Sequence, residues 1–318
     1  MEIRLLKYVA TLAKTGSFTR AADILRIAQP SLSQQIAKLE HEIGTQLFVR
    51  GRGRVTPTPD GARFLERAEQ LIQLHDDLER EMRERTEGMG RELTIGTTAI
   101  TGGHVLPPLL RAFQKRFPNV HVHLVEGSTA GLEELTEGGS VDLSILSLPL
   151  RNPHLSYKPM LTEPLLLALP QAQEEWMSDK LRRVMSSASG ASLPTLHLTE
   201  LADMPFVLLK EGYGFRSTVL QICAENGFQP NIAYETSSIE TAQSLVANGL
   251  GVTFVPEMVA HRGGPHAPTY VSVTKSLTRT LVFAYPENRY VSLAAQKFLE
   301  VYRSTHEGGP TSRWPVGS

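Results

Sequence analysis

The 318-residue sequence predicts a small helical N-terminal domain with a β wing, a long connecting helix, and an α/β body of two Rossmann-like lobes. Three observations support this organisation. Residues 1–57 are basic and divide into short amphipathic segments, residues 58–86 hold no glycine or proline after Gly61, and alternating strand and helix patterns begin at Arg91. We expect domains over 1–58, 59–90 and 91–304, followed by a disordered tail over 305–318.

Composition narrows the class of protein. With 41% hydrophobic and 20% charged residues, the chain has the composition of a soluble globular protein. It has no run of about 18 apolar residues and no signal-peptide core, so we expect no membrane partner and a cytoplasmic location. Cys223 is the sole cysteine, which excludes an intramolecular disulfide, a cysteine-based metal cage and a two-cysteine redox switch.

The N-terminal segment has a strongly positive net charge, although the net charge of the whole chain is close to zero. Residues 1–57 hold nine lysines and arginines against four acidic residues, a net charge of +5, whereas the whole chain is at −1. A basic domain of this size favours a polyanionic partner, with nucleic acid as the first expectation. A solvated charged surface is the alternative.

Helical spacing of the apolar residues predicts three helices in this domain, over 3–14, 18–26 and 31–43. Gly16 and Gly44 end helices, Ser17 is an N-cap candidate, and Pro30 suits a first helical turn. Two helices joined by a tight turn form a helix-turn-helix, whose second helix fits the major groove of B-DNA. Its polar face presents Ser31, Ser33, Gln34, Gln35 and Lys38. We expect Ser33, Gln34 and Gln35 to contact bases.

Two short extended pieces after Gly44 flank a turn rich in glycine and arginine, which predicts a β wing and completes a winged helix-turn-helix. Arg50, Arg52 and Arg54 on this turn are expected to meet phosphates or the minor groove. Each arginine alone would be interpreted as a surface residue, and the prediction depends on their position beside the helix.

Short segments of this domain form an ordered series: Gly16-Ser17-Phe18-Thr19-Arg20-Ala21-Ala22, Ala28-Gln29-Pro30-Ser31-Leu32-Ser33-Gln34-Gln35-Ile36, Leu39-Glu40, Gly44, Leu47-Phe48-Val49-Arg50, Thr56 and Asp60-Gly61. Together they resemble the LysR-type transcriptional regulators, and the match covers the domain without a gap. The resemblance implies a dimeric reader of double-stranded promoter DNA with an effector domain behind it. It adds Thr19, Arg20, Gln29 and Pro30 to the expected DNA contacts.

The connecting segment has a heptad seam formed by Phe64, Ala68, Leu71, His75, Leu78 and Met82. Two interpretations stay open. The segment is either an amphipathic helix packed on its own domain or a long dimerisation helix, which the resemblance implies and which would place two basic domains on two half-sites. His75 is interpreted as a packed or partly hydrated residue rather than a pH switch. Gly88 and Gly90 are expected to form a hinge.

The body begins with a βαβαβ series, which predicts a parallel sheet. Strands are expected near 93–96, 120–125, 142–146, 165–169, 206–209, 231–235, 252–255, 270–273 and 280–285, and helices near 109–117, 132–136, 174–185, 215–226, 238–247 and 292–302. The segments Leu93-Thr94-Ile95-Gly96, Leu106-Pro107, Phe117-Pro118, Val141-Asp142-Leu143, Pro205-Phe206, Gly227-Phe228, Leu245-Val246-Ala247-Asn248-Gly249-Leu250-Gly251-Val252 and Pro256 resemble the effector domain of the same family, which looks like a periplasmic binding protein.

That resemblance implies one lobe over about 91–162 and 268–304 and another over about 163–267, with crossings near 161–165 and 261–269. Residues 171–198 are longer than the usual connection of the family and include a low-complexity stretch over 186–192. We therefore expect a flexible excursion on the second lobe.

Ligands on open α/β sheets bind at the carboxyl ends of strands, beside helix N-termini. These ends present Thr97, Thr98, Ala99, Ile100, Thr101, Ser128, Thr129 and Ser147 in the first lobe, and Phe215 and Arg216 in the second. Such groups suit a carboxylate or another small anion. The alternative for each hydroxyl is a simple N-cap, and for Arg216 an inter-lobe or surface ion pair. The family often has serine or threonine where this chain has Ile100, so the expected contact shifts to Thr98 and Thr101.

Catalytic motifs are missing from the sequence: it has no nucleophile elbow, P-loop, zinc-protease helix or dinucleotide fingerprint. His121 and His123 face one side of a strand without further zinc ligands. Cys223 lies among apolar helical residues without a base partner. We expect no enzyme activity, no metal and no cofactor.

The sequence therefore predicts a LysR-type regulator that binds promoter DNA and responds to a small, anionic metabolite between its lobes. The family implies a dimer of dimers, a homotetramer, and RNA polymerase is a further expected partner. One alternative is a cytoplasmic solute-binding α/β protein whose basic domain serves assembly. Another is an architectural DNA binder without a ligand.

Overall fold

The computed structural model describes residues 1–51, 54–179, 181–183, 195–260, 267–274, 277–287 and 289–306. The chain divides into two compact units, Met1–Gly88 and Met89–Ser318. Among the described residues, no helix combines the length and the apolar character that a membrane span requires. Of the expected tail over 305–318, residues 307–318 lie outside the described residues, as does the low-complexity stretch over 186–192. The start of the tail is wrong, because Thr305 and His306 belong to the last helix.

The N-terminal unit has the predicted winged helix-turn-helix. Its helices and strands are α1 (Ile3–Thr15), α2 (Phe18–Leu25), α3 (Gln29–Ile43), the antiparallel pair β1 (Phe48–Arg50) and β2 (Val55–Pro57), and the long helix α4 (Pro59–Glu87). Gly16 and Gly44 end α1 and α3 with φ of 61° and 74°, a conformation in which glycine has no steric cost. The Ser17 hydroxyl accepts a hydrogen bond from the backbone N–H of Arg20, so it is the N-cap of α2.

One hydrophobic core holds this unit together, and its buried residues are Val9, Leu12, Ala21, Ala22, Leu32, Ile36, Leu39, Leu47 and Phe48. Phe64 and Leu65 of α4 pack against this core, and Ala68 is only 2% exposed. The first third of α4 is therefore part of the same folded unit as the helix-turn-helix.

Polar contacts fix the start of the wing. The Glu40 carboxylate accepts hydrogen bonds from the backbone N–H groups of Leu47 at 2.7 Å and Phe48 at 3.2 Å. The N–H of Val55 donates to the carbonyl of Gly16 at 2.9 Å, which ties the second strand of the wing to the turn between α1 and α2. The wing is thus anchored at both strands to the helical domain.

The first lobe of the body contains the predicted parallel sheet. It is built from β3 (Glu92–Thr97), α5 (Ala99–His104), α6 (Leu106–Arg116), β4 (His121–Glu126), α7 (Thr129–Glu137) and β5 (Leu143–Ser147). β3 lies between β4 and β5 and pairs in parallel with both. The core of this lobe includes Leu93, Ile95, Phe113 and Ile145. The short helix α5, which begins at the end of β3, is missing from the sequence prediction.

The sheet continues from the first lobe into the second. The remaining elements are β6 (Leu155–Leu169), β7 (Thr195–Leu196), β8 (Pro205–Leu209), α8 (Gly214–Glu225), β9 (Asn231–Thr236), α9 (Ile239–Ala247), β10 (Thr253–Pro256), β11 (Thr269–Val273), β12 (Thr278–Pro286) and α10 (Leu293–His306). The strand order is β4-β3-β5-β12-β6-β11-β7, with β10 also paired to β6. β8 and β9 form a separate parallel pair.

Two strands carry the chain between the lobes. β6 pairs with β12 along residues 155–164 and with β10 and β11 along residues 165–169, so the first crossing lies where the sequence analysis expects it. The second crossing was expected near 261–269, and that position is wrong. Tyr270, Val271, Val273 and Leu277 belong to the core of the second lobe, whereas Leu281 belongs to the core of the first. The chain therefore returns between Leu277 and Leu281.

The expected flexible excursion over 171–198 is wrong for its first part. Met177 and Leu181 are buried in the core of the second lobe, and the Trp176 indole N–H donates to the carbonyl of Gly249 at 3.0 Å. Residues 179 and 181–183 are helical. The buried side chains of Met177 and Leu181 hold this segment against the second lobe. The low-complexity stretch that suggested flexibility begins only at residue 186.

Candidate DNA interface and effector site

The outer face of α3 is polar and open. Ser31, Gln34 and Lys38 are exposed, and Ser33 and Gln35 are half-buried. The opposite face is filled by the buried residues Leu32, Ile36 and Leu39. The Lys38 ammonium lies 3.9 Å from the Glu42 carboxylate in an exposed pair, which solvent screens strongly. This helix can therefore present hydrogen-bonding side chains to a groove without disturbing its core.

The residues that flank α3 are also on the surface. Thr19, Arg20, Gln29 and Pro30 are all exposed. The Arg20 guanidinium donates to the carbonyl of Thr15 at 2.7 Å, which holds this cation beside the start of α2. The predicted residues of α2 and α3 are thus exposed within the basic segment over residues 1–57.

The wing adds one described arginine. Arg54 is exposed, and its side chain lies so close to Gly16 that a Cβ there would be 3.1 Å from Arg54 Cγ and Nε. A glycine at this turn therefore makes room for the stem of the arginine. Arg52 lies outside the described residues, and so does the side chain of Arg50.

The predicted seam of α4 divides into two parts. Phe64 and Ala68 pack on their own unit, while Leu71, Leu78 and Met82 are exposed. Leu74, which the heptad count leaves out, is 64% exposed and extends the same apolar stretch. We name the exposed stretch Leu71, Leu74, Leu78 and Met82 the α4 apolar face. The first part of the helix therefore packs on its own unit, and dimerisation through the exposed part stays a prediction.

One group of polar side chains on α4 has the donor types of a metal site. The ligand atoms of His75, Asp76 and Glu79 lie within 4.8 Å of one another. However, the Lys7 ammonium already binds the Asp76 carboxylate at 3.0 Å. The Lys7 ammonium is therefore the counter-ion of these exposed carboxylates, and their clustering needs no metal ion to explain it.

The strand ends of the first lobe converge as expected. The Thr98 hydroxyl donates to the Thr101 hydroxyl at 3.1 Å, and the N–H of Gly127 donates to the carbonyl of Thr97 at 3.2 Å. Thr97 and Thr101 are buried, whereas Thr98 is half-buried and Ala99 is exposed. Ser128 is the N-cap of α7, since its hydroxyl accepts from the N–H of Gly131 at 3.3 Å, which is the alternative role considered for it.

Direct hydrogen bonds join the two lobes at this edge. The Thr129 hydroxyl accepts from the N–H of Gly214 at 2.9 Å, and the N–H of Ala130 donates to the carbonyl of Gly212 at 3.0 Å. The Arg151 guanidinium donates to the Ser217 hydroxyl at 2.7 Å. The lobes are thus closed on each other here, and the Thr129 hydroxyl, an expected ligand contact, bonds to the second lobe instead.

Two of the expected residues take on structural contacts. Ile100 is 7% exposed and packs in the core of the second lobe, although α5 belongs to the first. Arg216 donates to the carbonyl of Leu209 at 2.7 Å and forms an ion pair with Glu235, both within the second lobe. The ion-pair alternative for Arg216 therefore holds in this structure, and its charge is neutralised.

A buried ion pair that the sequence does not predict lies at the crossing between the lobes. Glu163 on β6 and Arg279 on β12 are register partners, and Arg279 Nε donates to Glu163 Oε1 at 2.6 Å. The two side chains are 8% and 1% exposed. Burial lowers the pKa of the Arg279 guanidinium, and the Glu163 charge opposes that shift. The residues are 116 positions apart, so no local pattern in the sequence could pair them.

Cys223 lies in α8 and is fully buried. Burial raises the pKa of its thiol from 9.0 to about 11. A thiol in this setting is almost entirely protonated at neutral pH, and the thiolate is the reactive form.

Comparisons with known proteins point to one family. Residues 3–62 match the model of the bacterial regulatory helix-turn-helix proteins of the LysR family, and residues 86–307 match the model of the LysR substrate binding domain. The uncharacterized transcriptional regulator YcgK of Bacillus subtilis is 51% identical over 96% of this chain and 95% of its own length.

Two further similarities are to a curated relative and to a solved structure. The hydrogen peroxide-inducible genes activator of Dickeya chrysanthemi is 29% identical over 90% of this chain and 89% of its own length. A full-length OxyR variant from Pseudomonas aeruginosa superposes with a TM-score of 0.66 at 26% identity, covering 95% of both chains.

Proposed function

Because this chain belongs to the LysR family of transcriptional regulators, we propose that α3 and the wing read promoter DNA and that a small molecule between the two lobes modulates this binding. The observation that carries the proposal is the open polar face of α3 within the basic segment over residues 1–57, with Gln34 exposed on it. A helix of this kind fits the major groove and contacts base edges through its N-terminal residues.

DNA contacts of two kinds follow from this arrangement. Ser33, Gln34 and Gln35 contact bases, where each good bidentate pair discriminates by about 1–3 kcal/mol. Arg50, Arg52 and Arg54 contact phosphates, which raises affinity for all sequences and makes binding depend on salt. Thr19, Arg20, Gln29, Pro30, Ser31 and Lys38 complete the interface.

Two copies pair through the α4 apolar face. Leu74 and Leu78 are 64% and 56% exposed, and burying them against a second copy removes a large apolar area from water. Pairing also presents two helix-turn-helix units to two half-sites of one DNA. A dimer of dimers is the assembly we propose, in the cytoplasm where promoter DNA lies, with RNA polymerase as the further partner.

The effector acts by preferring one arrangement of the lobes. Thr129 accepts a hydrogen bond from the second lobe, and Ala130 and Arg151 donate to it, so a ligand that enters between the lobes must bind a more open arrangement. A ligand shifts such an equilibrium only by its difference in affinity for the two arrangements. We propose a regulator without catalytic activity rather than a solute-binding protein or an architectural DNA binder, since those alternatives leave either the polar face of α3 or the two-lobed body without a role.

The buried thiol of Cys223 is poorly suited to sensing peroxide. Cys223 is the sole cysteine of this chain, and burial raises the pKa of its thiol to about 11, so that little of the thiolate that oxidants attack is present at neutral pH. The proposed signal is therefore a bound molecule and not oxidation of this residue.

Binding to sheared genomic DNA at moderate salt tests the proposal. Arg54→Ala is expected to weaken binding and to lower the magnitude of the slope of log affinity against log salt by about one. Lys297→Ala, in an exposed ion pair of the body, is the matched control and keeps both values. Equal affinity and slope for Arg54→Ala and wild type would show that the wing does not contact phosphate.

A further inference from the structure

A groove lies between the second half of α3 and the first strand of the wing. Its volume is about 670 Å³, and it is lined by Ala37, Glu40, His41, Gly44, Thr45, Gln46, Phe48 and Val49. Phe48 is 5% exposed, whereas Val49 is 53% exposed, so the groove leaves an apolar side chain open to solvent. We name it the α3–wing groove.

The α3–wing groove is continuous with the face of α3 that we propose to read bases. Residues three and seven positions apart lie on one side of a helix, so Ala37 and His41 follow Gln34 along α3. All three residues are exposed. On the other side of the groove, Val49 of β1 is followed by Arg50 and the turn of the wing. The groove thus separates the two elements to which we assign DNA contacts.

The geometry of duplex DNA indicates what passes between these elements. A sugar–phosphate backbone separates the major groove from the neighbouring minor groove. A protein with α3 in the major groove and the wing beyond its edge must therefore straddle that backbone. Because the α3–wing groove lies between the two elements, it is the place where the backbone runs when both contacts form.

The side chains of the groove match both parts of such a backbone. The His41 imidazole and the Gln46 amide carry N–H donors, and phosphate oxygens are acceptors. In the part of the chain that the structure describes, neither of these side chains has a hydrogen-bond partner. Ala37 and Val49 are apolar and exposed, which suits contact with the deoxyribose ring.

Glu40 is the acidic side chain of the groove, and the wing holds its carboxylate. Glu40 Oε1 accepts hydrogen bonds from the backbone N–H groups of Leu47 at 2.7 Å and Phe48 at 3.2 Å. The segment around it, over residues 1–57, has a net charge of +5. The field of this segment therefore attracts an anion to the groove despite the carboxylate.

We propose that the α3–wing groove seats one sugar–phosphate backbone of the bound DNA. His41 and Gln46 donate hydrogen bonds to a phosphate, and Ala37 and Val49 contact the adjacent sugar. Contacts of this kind carry no sequence information and fix the register of α3 on the duplex. The inference rests on the proposed function, because it takes α3 and the wing as the elements that bind DNA.

The affinity of the full-length protein for a mixed-sequence DNA duplex tests the inference, measured by fluorescence anisotropy at one moderate salt concentration. Gln46→Glu keeps the size of the side chain and places a negative charge against the phosphate. Its affinity should fall at least about tenfold, as for the loss of a hydrogen bond to a charged group. His41→Ala removes the other donor and should also weaken binding.

Gln70→Glu is the matched control. It makes the same change of charge on α4, outside the groove, and it keeps an acceptor for the Arg67 guanidinium, which donates to Gln70 at 2.8 Å. This variant should retain the wild-type affinity. His41 and Gln46 are both exposed, so neither substitution removes a core contact.

Equal affinities for Gln46→Glu and Gln70→Glu would overturn the inference, and so would wild-type affinity for His41→Ala. The test does not depend on base reading, because the duplex has no particular sequence. Failure of wild type to bind any duplex would contradict the proposed function and this inference together. Intact promoter binding by wild type, with equal affinity for Gln46→Glu, would contradict this inference alone.

Discussion

The Thr129 hydroxyl accepts a hydrogen bond from the backbone N–H of Gly214 at 2.9 Å, in a buried position. The bond joins the first turn of α7 in one lobe to the first turn of α8 in the other. An added Cβ on Gly214 would lie 3.3 Å from Thr129, so the two helix ends approach closely. This bond is one of three that join the lobes at this edge, with those of Ala130 to Gly212 and Arg151 to Ser217.

Replacing Thr129 with valine should destabilise the closed body. The substitution keeps the shape of the side chain but leaves the Gly214 N–H buried without an acceptor, which costs about 1–3 kcal/mol. For a unit of this size, each kcal/mol lowers the Tm by about 2–4 °C. Calorimetry of the full-length variant measures the change. Thr129→Ser retains the oxygen and is the control, and an unchanged Tm for Thr129→Val would show that the bond does not stabilise the body.

Gly61→Ala should destabilise the N-terminal unit. A Cβ at Gly61 would lie 1.9 Å from the carbonyl oxygen of Leu47, which precedes the wing. The backbone must shift to accept it, at a cost of about 1–3 kcal/mol. Urea unfolding followed by circular dichroism gives the value. Gly103→Ala adds the same methyl group in a helix with nothing within 4 Å and should be neutral, so equal stabilities for the two variants would contradict the packing described at Leu47.

The helix-turn-helix and the wing could be predicted from the sequence because their signals are local. Gly16, Ser17 and Gly44 fix helix ends through their own backbone and side-chain chemistry. The division of α4 could not be predicted, because a heptad seam records which face is apolar and not what covers it. Phe64 and Ala68 meet their own unit, while Leu71 does not.

The effector site was harder to predict. The strand ends before Thr98 and Thr129 follow from the βαβ order, and they are adjacent, since the N–H of Gly127 donates to the carbonyl of Thr97. The pairing of Arg216 with Glu235 and that of Arg279 with Glu163 depend on the register of distant strands. A single sequence therefore indicates that cations are present but not which of them is neutralised.

Leu78→Lys should prevent pairing of two copies. The change places a charge in the centre of the α4 apolar face, which must be dry when two copies meet. Light scattering after size exclusion should give the mass of one chain for the variant and a multiple of it for wild type. Leu135→Lys, at an exposed leucine of α7, is the matched control and should keep the wild-type mass. If Leu78→Lys assembles like wild type, copies do not pair through this face.

Cys223 should resist alkylation in the native protein. With a pKa of about 11, about one thiol in a thousand is ionised at pH 8, and the group is buried as well. Mass spectrometry after iodoacetamide treatment should show almost no label on native protein and full label after unfolding in guanidinium. Because the folded pKa is raised, the stabilisation from this group is present below pH 9 and is lost as pH rises towards about 11. Rapid labelling of native protein would contradict this description of the thiol.

The central claim is that α3 reads base sequence, and the most direct measurement is sequencing of genomic DNA fragments retained by purified wild type and by Gln34→Ala at one salt concentration. We predict that wild type enriches a few sites sharing an inverted repeat near promoters. Gln34→Ala should lose that enrichment while total retained DNA stays within about twofold, since phosphate contacts remain. Uniform retention by wild type, or the same enriched sites for both proteins, would contradict the claim.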